Sequence, residues 1–173
     1  MTEQTLPLIM FYQDWESYHR RLVKAIAPLS SDQLDSPVAT HHWTIRRLIQ
    51  HMISDRVWWF HDWLGAGSPE LAHFVHWNPG DAEEPSGLGA AELVAALEST
   101  WIMIKGALTN FTASDLGRIF SPPASLSEEE QQAFGDSSLQ WIIGHVHEHE
   151  IHHGGELSLA LGGLSLPGVY GNI

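Results

Sequence analysis

The 173-residue sequence contains no cysteine, which excludes a disulfide framework, a thiolate metal site and a catalytic thiol of its own. Positive charge is also scarce: eight Lys and Arg stand against 21 Asp and Glu, a formal charge of −13. That balance opposes polyanions, and only Arg46-Arg47, with Arg56 further on, resembles a basic cluster, so nucleic acid is not an expected partner. No apolar run approaches the ~20 residues of a membrane span. The short run Leu6 to Phe11 follows acidic Glu3 without a basic segment or cleavage pattern, so the expected location is cytoplasmic, away from the membrane. Strand alternation, internal repeats, phosphate loops, paired-carboxylate signatures and a Ser-His-Asp order are missing too. What remains is an all-α chain, most simply a single domain over residues 1–173, long enough to bury a normal core unaided. A metal in such a chain is functional rather than a structural staple.

Histidine, by contrast, is abundant, and five of the twelve fall in one stretch: His145, His147, His149, His152 and His153. The segment from Gln140 to Glu156 reads as one helix, with Ser137 as its expected cap and Gln140 reaching back to complete a capping box. His145 and His149 are four residues apart, as are His149 and His153, and residues at that spacing lie one above the other on a helix face. Stepping ~100° per residue places Leu139, Ile142, Ile143, Val146, Leu157, Ala160 and Leu161 on one face. His149 and His153 lie nearest its centre. His145 and His152 fall on the rim, and His147 is expected to face solvent. Two imidazoles turned inward without a metal would each risk an unsatisfied nitrogen costing about 1 to 3 kcal/mol, so the pair reads as metal ligands.

Three further helices are legible from apolar spacing. The first runs from about Pro7 to Ala27, carrying Trp15, Tyr18, Leu22 and Ile26, with His19 expected among its solvated positions. After a loop containing His41 and His42, Thr44 caps a second helix from Ile45 to about Leu64, in which His51 sits at the edge of the apolar stripe beside Asp55. A third spans about Ala90 to Phe111 and contains no histidine. Between them, Gly65 to Gly87 reads as a long surface loop in which His73, His76 and Trp77 are exposed, and Thr112 to Asp136 as a solvated connection. The last helix ends near Gly162-Gly163. Four long helices and long connecting loops describe a four-helix bundle whose interior takes Trp15, Trp59, Trp63 and Trp101.

Two segments, Trp43-Thr-Ile-Arg-Arg-Leu-Ile-Gln-His51 and His149-Glu-Ile-His-His-Gly-Gly-Glu-Leu157, resemble the DinB-like family of four-helix metalloproteins, which shares its bundle with YfiT-type proteins and bacterial low-molecular-weight thiol transferases. The likeness runs from the first helix to about Gly163. It implies an up-down bundle, often a homodimer, that binds one divalent metal through a histidine of the second helix and a histidine pair of the last. By position these are His51, His149 and His153, with His145 as the alternative ligand. Many relatives carry a basic residue where this chain has Gly154. Two adjacent glycines cost roughly 1 kcal/mol each inside a helix, which close approach of a neighbouring helix or a substrate would offset.

Three neutral imidazoles leave a divalent ion its full charge and an open position, as catalytic sites require. Such a set suits zinc, nickel, iron or copper, and the ion would activate water or a thiol, or polarise a carbonyl. Asp55, Glu150 and Glu156 are candidates to accept the ligands' remaining N–H groups or to act as general base. The expected function is a metal-dependent transferase or hydrolase acting on a small-molecule substrate. The alternative is a metal-binding stress or interaction protein without turnover.

Overall fold

The computed structural model describes residues 6–40 and 42–171, so His41 lies outside it. The first long helix, α1 (Gln13–Ile26), buries Trp15, Tyr18, His19, Leu22 and Ile26, a stripe at helical spacing. It starts later than the apolar pattern suggests. Pro7 is extended and bridges to Thr112, and Leu8–Phe11 forms a separate 3₁₀ turn. His19, expected in solvent, is 1 % exposed.

A single capped turn, α2 (Ser31–Leu34), sits in the following connection, where Ser30 and Gln33 form a reciprocal capping box. Then α3 (Ile45–Val57) begins at Thr44, whose hydroxyl accepts from Arg47 N–H as the sequence suggests, and runs on into a π-helical turn, Trp58–Trp63. Apolar and polar residues are buried around most of its circumference, because it packs against α4 (Ala90–Asn110) and α6 (Leu139–Gly163) and is covered by a 3₁₀ segment, Pro69–Trp77. α4 packs in turn on α1.

The segment read as an open surface loop is therefore partly structured and held down. Ser54 donates to Val75 O at 2.7 Å, Gln50 donates to Pro85 O at 2.9 Å, and Arg47 donates to both Glu84 oxygens at 2.7 Å. Trp77 is buried rather than exposed.

The connection before the last helix also carries structure. β1 (Ile119–Phe120) pairs antiparallel with β2 (Ser137–Ser138), and α5 (Glu128–Phe134) lies between them with a Ser127–Glu130 capping box. Ser137 is held in that ladder opposite Phe120, so the cap of α6 is Ser138, whose Oγ accepts from Trp141 N–H at 3.2 Å. The cap moves by one residue from the expected position. Among the described residues, no helix is long and apolar enough to cross a membrane.

The four long helices meet at a polar pin inside an otherwise apolar core. Arg56 of α3 donates through Nε to Glu150 of α6, and both side chains are fully buried. Trp15 Nε1 donates to the other Glu150 oxygen at 2.8 Å, and Arg56 Nη1 donates to Leu97 O and Thr100 Oγ1 of α4 at 2.9 and 3.1 Å. Tyr18 donates its hydroxyl to Glu150 O at 2.7 Å. That contact explains Gly154: a Cβ there would lie 1.7 Å from the Tyr18 hydroxyl. Trp15, Trp59, Trp63 and Trp101 surround the same interior, as the sequence suggests.

Candidate metal centre

One and two turns beyond His145, α6 turns His149 and His153 toward α3, and their side chains are 15 % and 13 % exposed against 66 % for His152. His51, one turn before Asp55 on α3, meets them. His149 Nε2 lies 2.9 Å from His51 Nε2 and 3.1 Å from His153 Nε2, so three ring nitrogens from two helices converge on one point.

The opposite edge of each ring faces an acceptor. His51 donates its Nδ1–H to Asn78 Oδ1 at 2.8 Å, and His153 donates its Nδ1–H to Glu156 Oε2 at 2.7 Å. His149 Nδ1 lies 3.2 Å from Asp55 Oδ2, close but not aligned for a full hydrogen bond, so both atoms remain buried without an ideal partner. A proton on each Nδ1 leaves three Nε2 lone pairs facing one another, a repulsive arrangement that a shared cation relieves. Nitrogen ligands at ~2.0–2.1 Å from a tetrahedral ion stand ~3.3 Å apart, close to the spacing found here. The residues present fit a divalent metal held by His51, His149 and His153.

Electrostatics agree with neutral ligands. Burial first, then the neighbouring imidazoles, pushes His149 down to about 3, and burial lowers His51 against the opposing effect of Asn78. Burial, reinforced by Glu150, pushes Asp55 up to about 7.

The other histidines of α6 sort differently. His145, the alternative ligand, stacks on Trp141 with ring centroids 4.8 Å apart and lies 6.0 Å from the His149 ring, outside the converging group. His147, expected in solvent, is tucked back against α1, its ring 4.8 Å from Trp15 and 6.2 Å from Tyr12. His152 is exposed and forms a looser group with His153 and Glu156. Of the three carboxylates expected around the site, Asp55 and Glu156 are there, whereas Glu150 points away to Arg56.

Beside the site, Asn78 carried no sequence signal, and Trp43 entered only as the first residue of the segment that carries the family resemblance. Asn78 follows the 3₁₀ segment in a turn, and only the folding of that segment over α3 brings it to His51. Trp43 lies 4.9 Å from the His51 ring and helps to line a cavity of about 320 Å³ that reaches His153 and Glu156. A larger cleft of about 840 Å³ opens on the other side, where Asp55 and His145 form part of its wall.

The fold and the site define a helical protein in which three imidazoles converge between two helices. The model of the DinB superfamily matches residues 14–157, and the chain belongs to it. Among solved structures, a DinB-like protein from Bacillus cereus is 17 % identical, with a TM-score of 0.68 over 94 % of this chain and 96 % of that one, a likeness of fold. No curated protein matches the sequence.

Proposed function

We propose that the chain is a metal-dependent enzyme built as an up-down four-helix bundle, with one divalent transition metal, zinc, nickel or iron, held by His51, His149 and His153. The observation that carries this reading is the convergence of three Nε2 atoms whose partner nitrogens face Asn78, Asp55 and Glu156. When bound, the ion supplies Lewis acidity that favours the ionised form of a coordinated thiol or water. The chain's own part is to keep three imidazoles neutral, fix their tautomers and exclude bulk water from one side of the site. The cavities reaching His153 and Asp55 give a small-molecule substrate access, which favours a transferase or hydrolase over a closed, non-catalytic metal-binding module.

The protein is proposed to act as a homodimer. Leu6, Met10 and Phe11 are each more than half exposed, at 53 %, 51 % and 63 %, an apolar patch that a second copy would cover. Sedimentation would test this.

Elemental analysis of the purified protein tests the metal assignment. His51→Ala, His149→Ala and His153→Ala are each expected to lose stoichiometric metal while His147→Ala keeps it. Full metal content in the His153→Ala protein would overturn the ligand set. If metal is bound but a small thiol ionises no more readily on the loaded protein than on the chelated one, the thiol-activating role fails while the metal site stands.

A further inference from the structure

The larger cleft is walled mainly by aromatic rings. Trp58 and Trp59 come from consecutive positions at the start of the π-helical turn, Phe134 from the end of α5, and Trp141 and His145 from the first turns of α6. π-helical turns are frequent at functional sites, where the extra residue re-aims the side chains around it. Trp59 is 5.1 Å from Trp141 and Trp58 is 6.0 Å from Phe134, ring centroid to centroid.

Aromatic clusters of this size are ordinarily buried, but this one is open. Trp141 is 48 % exposed, Phe134 50 % and the neighbouring Ile119 58 %, so three of the large exposed apolar side chains gather on one rim. His145 covers one face of Trp141, stacked at 7° between planes.

The charge in the cleft is of one sign. Its exposed carboxylate is Asp136, Asp55 lies deeper in the wall, and among the described residues no Lys or Arg lines it. Arg118, which precedes Ile119 in β1, lies instead over the Phe120 ring at 4.8 Å. On the far side of Trp141 an adjoining hollow adds Glu148. Burial lowers the pKa of His145, against the opposing effect of Glu148.

Electron-rich ring faces beside carboxylates attract cations, with Trp the strongest ring and an effective range of about 6 Å. Beyond the Ser137 and Ser138 hydroxyls, the described residues of the wall offer a carboxylate or phosphate no cationic partner. We infer that this cleft binds a small organic cation, a methylated or aryl-substituted ammonium group that the Trp and Phe rings enclose and Asp136 neutralises. Binding itself requires no metal. A role as the substrate subsite of the histidine centre rests on the proposed metal-dependent activity, since Asp55 belongs both to the cleft wall and to the His149 contact.

Isothermal titration with choline tests this, set against dimethylbutanol, which has carbon in place of the charged nitrogen, and against the corresponding carboxylate. Choline is expected to bind at least tenfold more tightly than dimethylbutanol, and the carboxylate not at all. Trp141→Ala should weaken choline about tenfold, equivalent to about 1.4 kcal/mol. Asp136→Asn should weaken it about threefold. Both positions lie on the surface side of the cleft, so circular dichroism should show the variants folded. The titrations are run with metal bound and again after chelation. Choline binding that survives chelation supports the cleft even where the metal assignment fails. The inference is overturned if dimethylbutanol binds as well as choline, if neither gives a saturable isotherm, or if Trp141→Ala leaves the affinity unchanged.

Discussion

Replacing Gly154 by alanine sets two physical effects against each other. In a helix interior alanine is favoured over glycine by about 1 kcal/mol, so helix propensity alone predicts that Gly154→Ala stabilises. The structure predicts the reverse. The new Cβ would lie 1.7 Å from the Tyr18 hydroxyl oxygen and 2.9 Å from Tyr18 Cζ, so the tyrosine has to move. It is 4 % exposed and packed into the core, where overpacking costs about 1–3 kcal/mol. Moving it also breaks the bond to Glu150 O, worth about 0.5–1.5 kcal/mol. Setting these losses against the propensity gain leaves a net destabilisation of about 0.5–3.5 kcal/mol.

Gly155 is the internal control, since it is exposed on the same helix and a Cβ there meets nothing within 4 Å. Gly155→Ala should stabilise by about 0.5–1 kcal/mol. For a chain of this length each kcal/mol moves Tm by about 2–4 °C, so the two variants should melt on opposite sides of the wild type by amounts that circular dichroism resolves. Tyr18→Phe should cost less in the Gly154→Ala background than in the wild type, because the hydrogen bond to Glu150 O is already broken there and the substitution removes the clashing oxygen. A Gly154→Ala protein as stable as Gly155→Ala would refute the close approach of α1 to α6.

Arg56→Met leaves Glu150 buried without its cation and should destabilise by about 3–5 kcal/mol in urea unfolding. Adding Glu150→Leu should recover part of that loss, and strictly additive losses would argue against the pair. Asp55→Asn and Glu156→Gln are expected to weaken metal affinity by about 10- to 100-fold in a competition titration without abolishing it; unchanged affinity would mean that neither orients a ligand. His19 is held below its ordinary pKa by burial and then by Arg56, against the pull of Glu98. The unfolded chain therefore takes up that proton more readily, and folding stability falls as pH drops below about 6.5, by up to ~1.4 kcal/mol per pH unit for this group. His19→Asn should flatten the pH dependence of stability by that amount, and an unchanged slope would show that His19 does not carry it.

How far the sequence reveals the candidate metal centre depends on how local each determinant is. His149 and His153 follow from one helical period, because the apolar face that carries Val146 and Leu157 also fixes which imidazoles turn inward. His51 needed the resemblance of a second segment, since its own phase put it only at the edge of α3. Asn78 was illegible. It reaches His51 only because Pro69–Trp77 folds over α3, and no periodic pattern in that segment announces the contact.

The largest departures share one cause. His19 and His147 read as solvated positions and Glu150 as an acceptor beside the metal ligands, yet His19 is drawn in against Arg56 and Trp101, and His147 and Glu150 against Trp15 of α1. A helical wheel measures distance from the apolar stripe of one helix. It holds no information about an arginine arriving from another, and Arg56 from α3 draws Glu150 away from the histidines into the core. The junction of α1 and α6 also makes Gly154 intelligible. A glycine that weakens its own helix is retained where Tyr18 from α1 must pass within bonding distance of the α6 backbone, so the penalty within the helix and the contact between helices are two sides of one arrangement. Three residues of this short stretch thus hold α6 by different means: Glu150 and Gly154 lock it to α1 and α3, and between them His153 is held at a fixed height opposite His51. The histidine spacing depends on the helix, but the meeting of the two helices that closes the site depends on the buried pin beside it.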